Sequence, residues 1–366
     1  MGRPRQVALL IESSRSYGRG VLRGIGKYAH THGDWALRHH EMTYDAAPPN
    51  WLKKWQGDGV IARIETEQMA RALRRLKVPM VDVRCRRKFP NAPQVETDDR
   101  LVVQQAVDHL LERGLRNFAF CGFQGANYSV RRLKFLREIL AELDTTPLVY
   151  ESPGPESPTT TGAELLGMLD EEGVTQWLKS LPRPVGLMAS NDIRAQHVLI
   201  ACRNAGLTVP DEVAVIGVDN DDVICPLCDP PLSSVEPDTE QVGYVAASLL
   251  ESMMQGEAPP PEPIYGPPRG VVARRSTELW AIDDEAIVKA CQFARDSISK
   301  GINVSDVVRA AGISRRALER RMAKELGKTP HELLVSFRLR RLQQLLQDTD
   351  LPMHEVASLS GFAHVE

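Results

Sequence analysis

At 366 residues, with 42% hydrophobic and 25% charged side chains, the chain has the make-up of ordinary globular protein and room for two or three domains. No apolar run approaches the length that spans a bilayer. The basic start MGRPRQ is followed only by VALLI before Glu12, too little for a secretory signal. Six cysteines without framework spacing fit a reducing cytoplasm, and a net charge of −3 makes any strongly basic segment stand out.

From Gln6 to about Thr277 the pattern is an alternation of strands and helices. The short apolar runs 7–11, 59–62, 80–83, 118–121, 185–189 and 213–218 read as buried parallel strands. Amphipathic stretches over 100–113, 129–143, 192–205 and 238–256 read as helices between them. Such an alternation predicts open α/β sheets that bind ligands beyond the carboxyl ends of their strands. It runs for more residues than one sheet needs, so two lobes with a cleft between them are expected. The polar stretch 144–162, rich in Pro, Ser and Thr, is expected to be a loop in the second lobe. Residues 257–268, with APPPEPIYGPP, are expected to be stiff and extended.

Polar residues stand just past those strand ends. Glu12 follows VALLI, Asp82 closes MVD, Asn191 and Asp192 follow VGLMAS, and Asp219 and Asn220 follow VAVIGV. Arg131 and Arg132 open the helix after FAFCGFQG, and Tyr17, Phe123 and Tyr128 offer flat faces. Carboxylates, amides and guanidinium groups that converge on a cleft suit a neutral polyol. Each bonds a pair of adjacent hydroxyls while an aromatic ring supports the sugar face. Capping of helices and turns accounts equally well for any one of them, Asn191 and Asp219 included; the set favours a ligand site. The stretches VPMVDV, TDD, AVDHLLERG, SND, AGLTVPDEVAVIGVDND, PPLSSVEPD and VVARRST resemble the LacI-type, periplasmic-binding-protein-like effector domain over nearly all of residues 5–280. The resemblance implies sugar contacts from Asn191, Asp219 and Arg131, with Asp82 matched less securely. The DNA-binding headpiece usual in that family has no counterpart ahead of the first strand.

The reader stands at the other end. In 303–327, Val304, Val307, Val308 and Ala311 form one helical face, Gly312-Ile313-Ser314 makes a turn, and Leu318, Met322 and Leu326 form a second face. Arg316, Glu319, Arg320 and Ala323 lie on the opposite side of that second helix, the shape of a helix-turn-helix whose second helix enters the major groove. Residues 301–345 hold ten Lys/Arg against four acids. That basic island outweighs the bland reading of an αα-hairpin with a solvated face. Candidate DNA contacts are Ser314, Arg315, Arg316, Glu319, Arg320 and Lys324. Arg316 and Arg320 are placed on bases, while Arg315, Arg321, Lys324 and Arg338 are placed on phosphate or facing solvent.

The run GISRRALERRMAKELGKTP, the helix RLRRLQQLL and the later Met353, Glu355, Val356, Ala357, Gly361 and Phe362 resemble the AraC-type DNA-binding domain, two helix-turn-helix units joined by a long helix at about 331–347. The chain stops at Glu366, where that family's second recognition helix begins, so one complete reader is expected. The fold class expected is therefore an α/β, two-lobed periplasmic-binding-protein-like domain over 1–280, for effector binding and dimerisation, with an all-α helix-turn-helix domain over 281–366. This order of domains resembles the xylose operon regulators. The resemblance implies D-xylose or a related pentose as effector, a double-stranded DNA operator, a homodimer, RNA polymerase as partner, and activation rather than repression. Residue chemistry by itself says only a small polyhydroxylated ligand.

Catalysis finds no support. The glycines of GVLRGIGK miss the phosphate-loop spacing and read instead as small residues packed against the sheet. No G-x-S-x-G or H-E-x-x-H occurs, the lone Cys225-Pro-Leu-Cys228 lacks a second ligand pair, and Asp219–Asp222 lacks calcium-loop spacing. No metal and no cofactor are expected. The competing class is a cytoplasmic sugar-binding or sugar-processing protein that does not act through DNA, and salt-dependent binding to promoter DNA separates the two.

Overall fold

The computed structural model describes residues 3–32, 34–43, 46–84, 92–153, 160–279, 284–349 and 351–362. The chain divides into two compact units, Met1–Glu278 and Leu279–Glu366. No helix among the described residues is long and apolar enough to cross a membrane.

The first lobe of unit 1 runs β1 (Arg5–Leu10), α1 (Ser16–His32), β2 (Trp35–His39), β3 (Gly59–Ala62), α2 (Glu67–Leu73), β4 (Met80–Asp82) and β5 (Val95–Thr97). The second lobe runs α3 (Asp99–Leu111), β6 (Phe118–Phe123), α4 (Asn127–Ala141), β7 (Leu148–Ser152), α5 (Thr160–Leu169), α6 (Glu171–Lys179), β8 (Val185–Ala189), α7 (Asp192–Ala205), β9 (Val213–Val218), α8 (Ile224–Leu227) and β10 (Ser233–Pro237). The chain then returns to the first lobe for α9 (Thr239–Met254) and β11 (Ile264–Gly266), and to the second for β12 (Pro268–Val272). The sheets are ordered β2-β1-β3-β4 in the first lobe and β12-β10-β9-β8-β6-β7 in the second, with β11 paired to β5. Pairing is parallel except between β10 and β12.

Both faces of the inner strands are covered, which is why they read as unbroken apolar runs. In β1, Val7 and Leu9 join the core under α1 and α9, while Ala8 and Leu10 point to the core under α2. Edge strands behave otherwise. β2 is largely exposed and β7 only half-buried, so neither shows an apolar run, and the stretch 144–162 expected to be a loop contains β7, paired to β6. Its central residues 154–159 lie outside the described part. Within 257–268, Ile264–Gly266 forms β11.

Gly20 and Gly24 of α1 pack against α9 and not against the sheet, while Gly26 faces open space. A Cβ on Gly24 would stand 1.9 Å from the carbonyl oxygen of Glu240, and one on Gly243 would stand 2.0 Å from that of Val21. Backbone therefore meets backbone where α1 crosses α9, and neither side can yield by a rotamer change. Gly24→Val is expected to destabilise unit 1 by about 3 kcal/mol, lowering its melting temperature by roughly 10 °C. An unchanged melt would refute the close crossing.

Unit 2 is helical: α10 (Glu285–Ser297), α11 (Val304–Ala311), α12 (Arg315–Leu326), α13 (Pro330–Asp348) and α14 (Met353–Leu359). Its core gathers Ile287, Ala290 and Ala294 of α10, Val307 and Ala311 of α11, Leu318 and Met322 of α12, and Leu333, Leu334 and Phe337 of α13. Local sequence sets the helix ends. Asn303 and Asp306 form a capping box, Gly312 closes α11 at φ +69°, and Ser314 caps α12 through the Ala317 amide. Thr329 and Glu332 form a second capping box ahead of α13, with Pro330 at its first position.

Candidate functional site

A polar cavity, partly open to solvent, lies in unit 1 beyond the carboxyl ends of the strands. The first lobe contributes Arg15 and Tyr17 at the start of α1, Arg63 after β3, Arg84 after β4, and Glu96 and Thr97 of β5. The second contributes Asp99, Tyr128, Arg131 and Arg132 of α3 and α4, Glu164 of α5, Asn191 and Asp192 after β8, and Asp219 and Asp221 after β9.

The lining is a web of compensated charge. Arg131 donates to Glu96 at 2.6 Å and to Asp99 at 2.8 Å, and Arg132 donates to Asp99 at 2.9 Å. The Arg132 guanidinium also stands 3.8 Å from the Asp219 carboxylate. Tyr128 donates to Glu164 at 2.8 Å and accepts from the Asn191 amide at 3.2 Å. Arg15 reaches Glu164 at 2.6 Å from the opposite lobe, and Arg19 reaches Asp222 at 3.3 Å.

Burial pushes Asp219 up to about 6, against the lowering pull of Arg132. It pushes Asp192 up to about 7, helped by the charge of Asp219. Burial alone would raise Asp99 as well, but Arg132 and Arg131 outweigh it and hold that carboxyl below its ordinary range. Guanidinium and carboxylate groups thus stand in near balance around the cavity. Such a site offers many hydrogen bonds to hydroxyls while giving a net-charged ligand no counter-ion of its own.

Of the candidates named from sequence, Arg131, Asn191 and Asp219 come together on the cavity. Asn191 takes the capping role weighed for it, since its Oδ1 caps α7 through the Arg194 amide, and its Nδ2 meets Tyr128 on the cavity wall. Glu12, Asp82 and Asn220 stand outside the lining. Glu12 is buried against the Arg63 guanidinium. Asp82 accepts from the Ile64 and Arg84 amides and from Gln94, which anchors the loops carrying two lining arginines. Asn220 is taken up by Glu236, Ser234 and Arg274. Phe123 is fully buried under the Arg194 guanidinium and does not face the cavity, whereas Tyr17 and Tyr128 do. Cys225 and Cys228 sit in the second lobe's core, where burial raises both thiols, Cys228 to about 12.

Sequence reading passed over Arg63, Arg84, Glu96, Asp99 and Glu164, and named Arg132 beside Arg131 without giving it a sugar contact. Arg132 and Asp99 adjoin residues already singled out, and the second carboxylate of the TDD stretch is the one that holds both arginines. Glu164 follows the Pro/Ser/Thr stretch inside an apolar helix, and no local pattern marks it.

In unit 2 the exposed face of α12 carries Arg315, Arg316, Arg320 and Lys324. Arg315 pairs with Glu319 at 2.9 Å, Lys324 with Glu325 at 3.0 Å, and Arg321 with Asp284 at 3.1 Å. Arg316 and Arg320 make no ion pair among the described residues, so both forks remain available. Ser314 and Glu319 serve the helix itself, as cap and as intrahelical partner. Arg338 donates to the Ile302 carbonyl at 2.8 Å and lies over the Phe362 ring.

Comparison with known proteins agrees with both halves. Residues 6–100 match the XylR N-terminal domain, 107–277 the periplasmic binding protein-like domain, and 307–366 a helix-turn-helix domain. The chain is 32% identical to the xylose operon regulatory protein of Escherichia coli K12, over 99% of this chain and 92% of that one. It is 31% identical to the Haemophilus influenzae protein of the same name, over 99% and 93%. A solved structure described as a xylose-binding transcription activator superposes with a TM-score of 0.73 at 30% identity, covering 99% of this chain and 93% of that one. A LacI family regulator from Enterococcus faecium shares the fold of unit 1, with a TM-score of 0.59 at 19% identity over 74% of this chain and 98% of that one. The chain belongs to the xylose operon regulatory protein family, sugar-responsive transcription regulators that join a periplasmic-binding-protein-like domain to a helix-turn-helix domain.

Proposed function

We propose that the cavity binds D-xylose or a closely related pentose, with Asp219, Asn191 and Arg131 as contacts and Tyr17 and Tyr128 as walls. The observation that carries this reading is the near balance of buried carboxylates and guanidiniums around the cavity. It provides acceptors and donors in quantity and suits a neutral polyol. The names of the relatives at 31–32% identity point the same way. Arg15–Glu164 and Arg19–Asp222 join the two lobes at the mouth, so a sugar held between them favours the closed arrangement by its differential affinity.

Closure is read as the signal, and the helix-turn-helix as the output. Two chains pair so that two readers meet paired half-sites, Arg316 and Arg320 contact bases, and Arg315 and Lys324 contact the backbone. Activation, with RNA polymerase as a partner, follows the family. The chain is read as a non-enzyme working in the cytoplasm.

Calorimetric titration of the full chain with D-xylose, L-arabinose, D-ribose and D-glucose tests the ligand. D-xylose is expected to bind most tightly, and heat from none of the four would overturn the pentose reading.

A further inference from the structure

Asp219 and Asn220 are the strained spot of the cavity. Their φ angles are +115° and +46°, a region that side chains with a Cβ seldom occupy and that persists only where surrounding bonds over-determine it. Here those bonds come from outside the cavity. The Asn220 amide donates to Ser234 Oγ at 3.0 Å, and its side-chain Nδ2 donates to Glu236 at 3.1 Å. Its Oδ1 accepts from Arg274 Nη2 at 2.9 Å. Ser234 in turn donates to Asp192 at 2.6 Å, so both carboxylates at the floor of the cavity hang from one polar cluster.

Arg274 belongs to the segment that leaves unit 1. It follows β12, and the unit ends four residues later at Glu278. The segment is tied down by side chains and not by a sheet. Arg274 donates to the Leu232 carbonyl at 2.9 Å, its own amide donates to Ser233 Oγ at 2.7 Å, and Ser233 meets Thr277 Oγ1 at 2.7 Å. Thr277 also meets His109, and its carbonyl accepts from Arg113. One guanidinium, carried by the exit segment itself, therefore grips the strained turn with one nitrogen and the Leu232 carbonyl just ahead of β10 with the other.

We propose that Arg274 is a positioning residue for sugar binding. Through Asn220 it holds the Asp219 carboxylate in place, and through the same fork it makes the exit segment toward the DNA-binding unit sense whether Asp219 is occupied. This inference rests on the pentose reading above and assigns Asn220 to the support of the site rather than to sugar contact. The coupling is reciprocal. A ligand that requires the strained turn must tighten the exit segment, and loosening the exit segment must weaken the ligand.

The test uses the full chain with D-xylose as probe. Arg274→Gln is expected to weaken binding at least tenfold by calorimetry, and Arg274→Lys to restore part of the loss. In an Asp219→Asn background Arg274→Gln should add little, because the group it positions has already lost its charge; general loosening of the fold would multiply the two losses instead. Hydrogen exchange of residues 270–277 should slow on saturation of the wild-type chain with D-xylose and stay unchanged in Arg274→Gln at saturation. If Arg274→Gln does not fold, Asn220→Gly carries the same test, since glycine takes φ +46° without strain and deletes the bond to Arg274. Unchanged affinity, multiplied losses, or sugar-dependent slowing that survives in the variant each overturn the inference while leaving the pentose reading intact. A wild-type chain that binds no D-xylose overturns both.

Discussion

Asp219→Ala is expected to weaken D-xylose binding by about a hundredfold, roughly 3 kcal/mol. The carboxylate is half-buried, stands 3.8 Å from Arg132 and is set by a backbone that nothing else described in the cavity duplicates. Its loss removes two acceptor oxygens and leaves sugar hydroxyls facing a guanidinium already engaged by Asp99. Alanine at φ +115° adds strain of its own, so Asp219→Asn is the companion variant, because asparagine tolerates positive φ and keeps the shape. Asparagine should preserve the melting temperature and still lose at least tenfold in affinity. Calorimetry beside a thermal melt separates the two effects. Full affinity in either variant would remove Asp219 from the site.

Arg316→Ala and Arg320→Ala are each expected to cost about 1–3 kcal/mol of discrimination between promoter and unrelated DNA. Both forks are exposed and without an ion pair among the described residues, whereas Arg315, Arg321 and Lys324 are already engaged by acids. Arg315→Ala or Lys324→Ala should leave discrimination intact and lower the salt slope of binding by about one. Fluorescence anisotropy on promoter and scrambled duplexes at several salt concentrations reads both quantities. Equal losses on the two duplexes for Arg316→Ala and Arg320→Ala would place these arginines on the phosphate backbone.

The inner strands were legible because burial on both faces forces a continuous apolar run; 59–62, 185–189 and 213–218 coincide with β3, β8 and β9. Edge strands β2 and β7 carry no such constraint and left no signal. The helix-turn-helix was legible for a different reason: the αL glycine at 312 that ends α11 and Ser314 that caps α12 are local chemistry. In the cavity, Arg131, Asn191 and Asp219 follow strand ends and stand out. Glu12, Asp82 and Asn220 follow strand ends equally well, and sequence cannot separate a side chain that faces the ligand from one that braces its neighbour. Glu164 reaches the cavity only through the packing of α5, a tertiary fact with no local trace.

Asp284 performs two tasks in unit 2. Its Oδ1 caps α10 through the Ala286 and Ile287 amides, and its Oδ2 holds Arg321 on α12. The recognisable motif starts nineteen residues further on, at Asn303, yet the brace that sets the reading helix against its neighbour lies here. A self-standing fragment for DNA work must therefore start upstream of residue 284. A protease cut just after it would leave every motif residue in place, with Leu318 and Met322 still buried, but would cost α10 its cap and loosen the tether on Arg321.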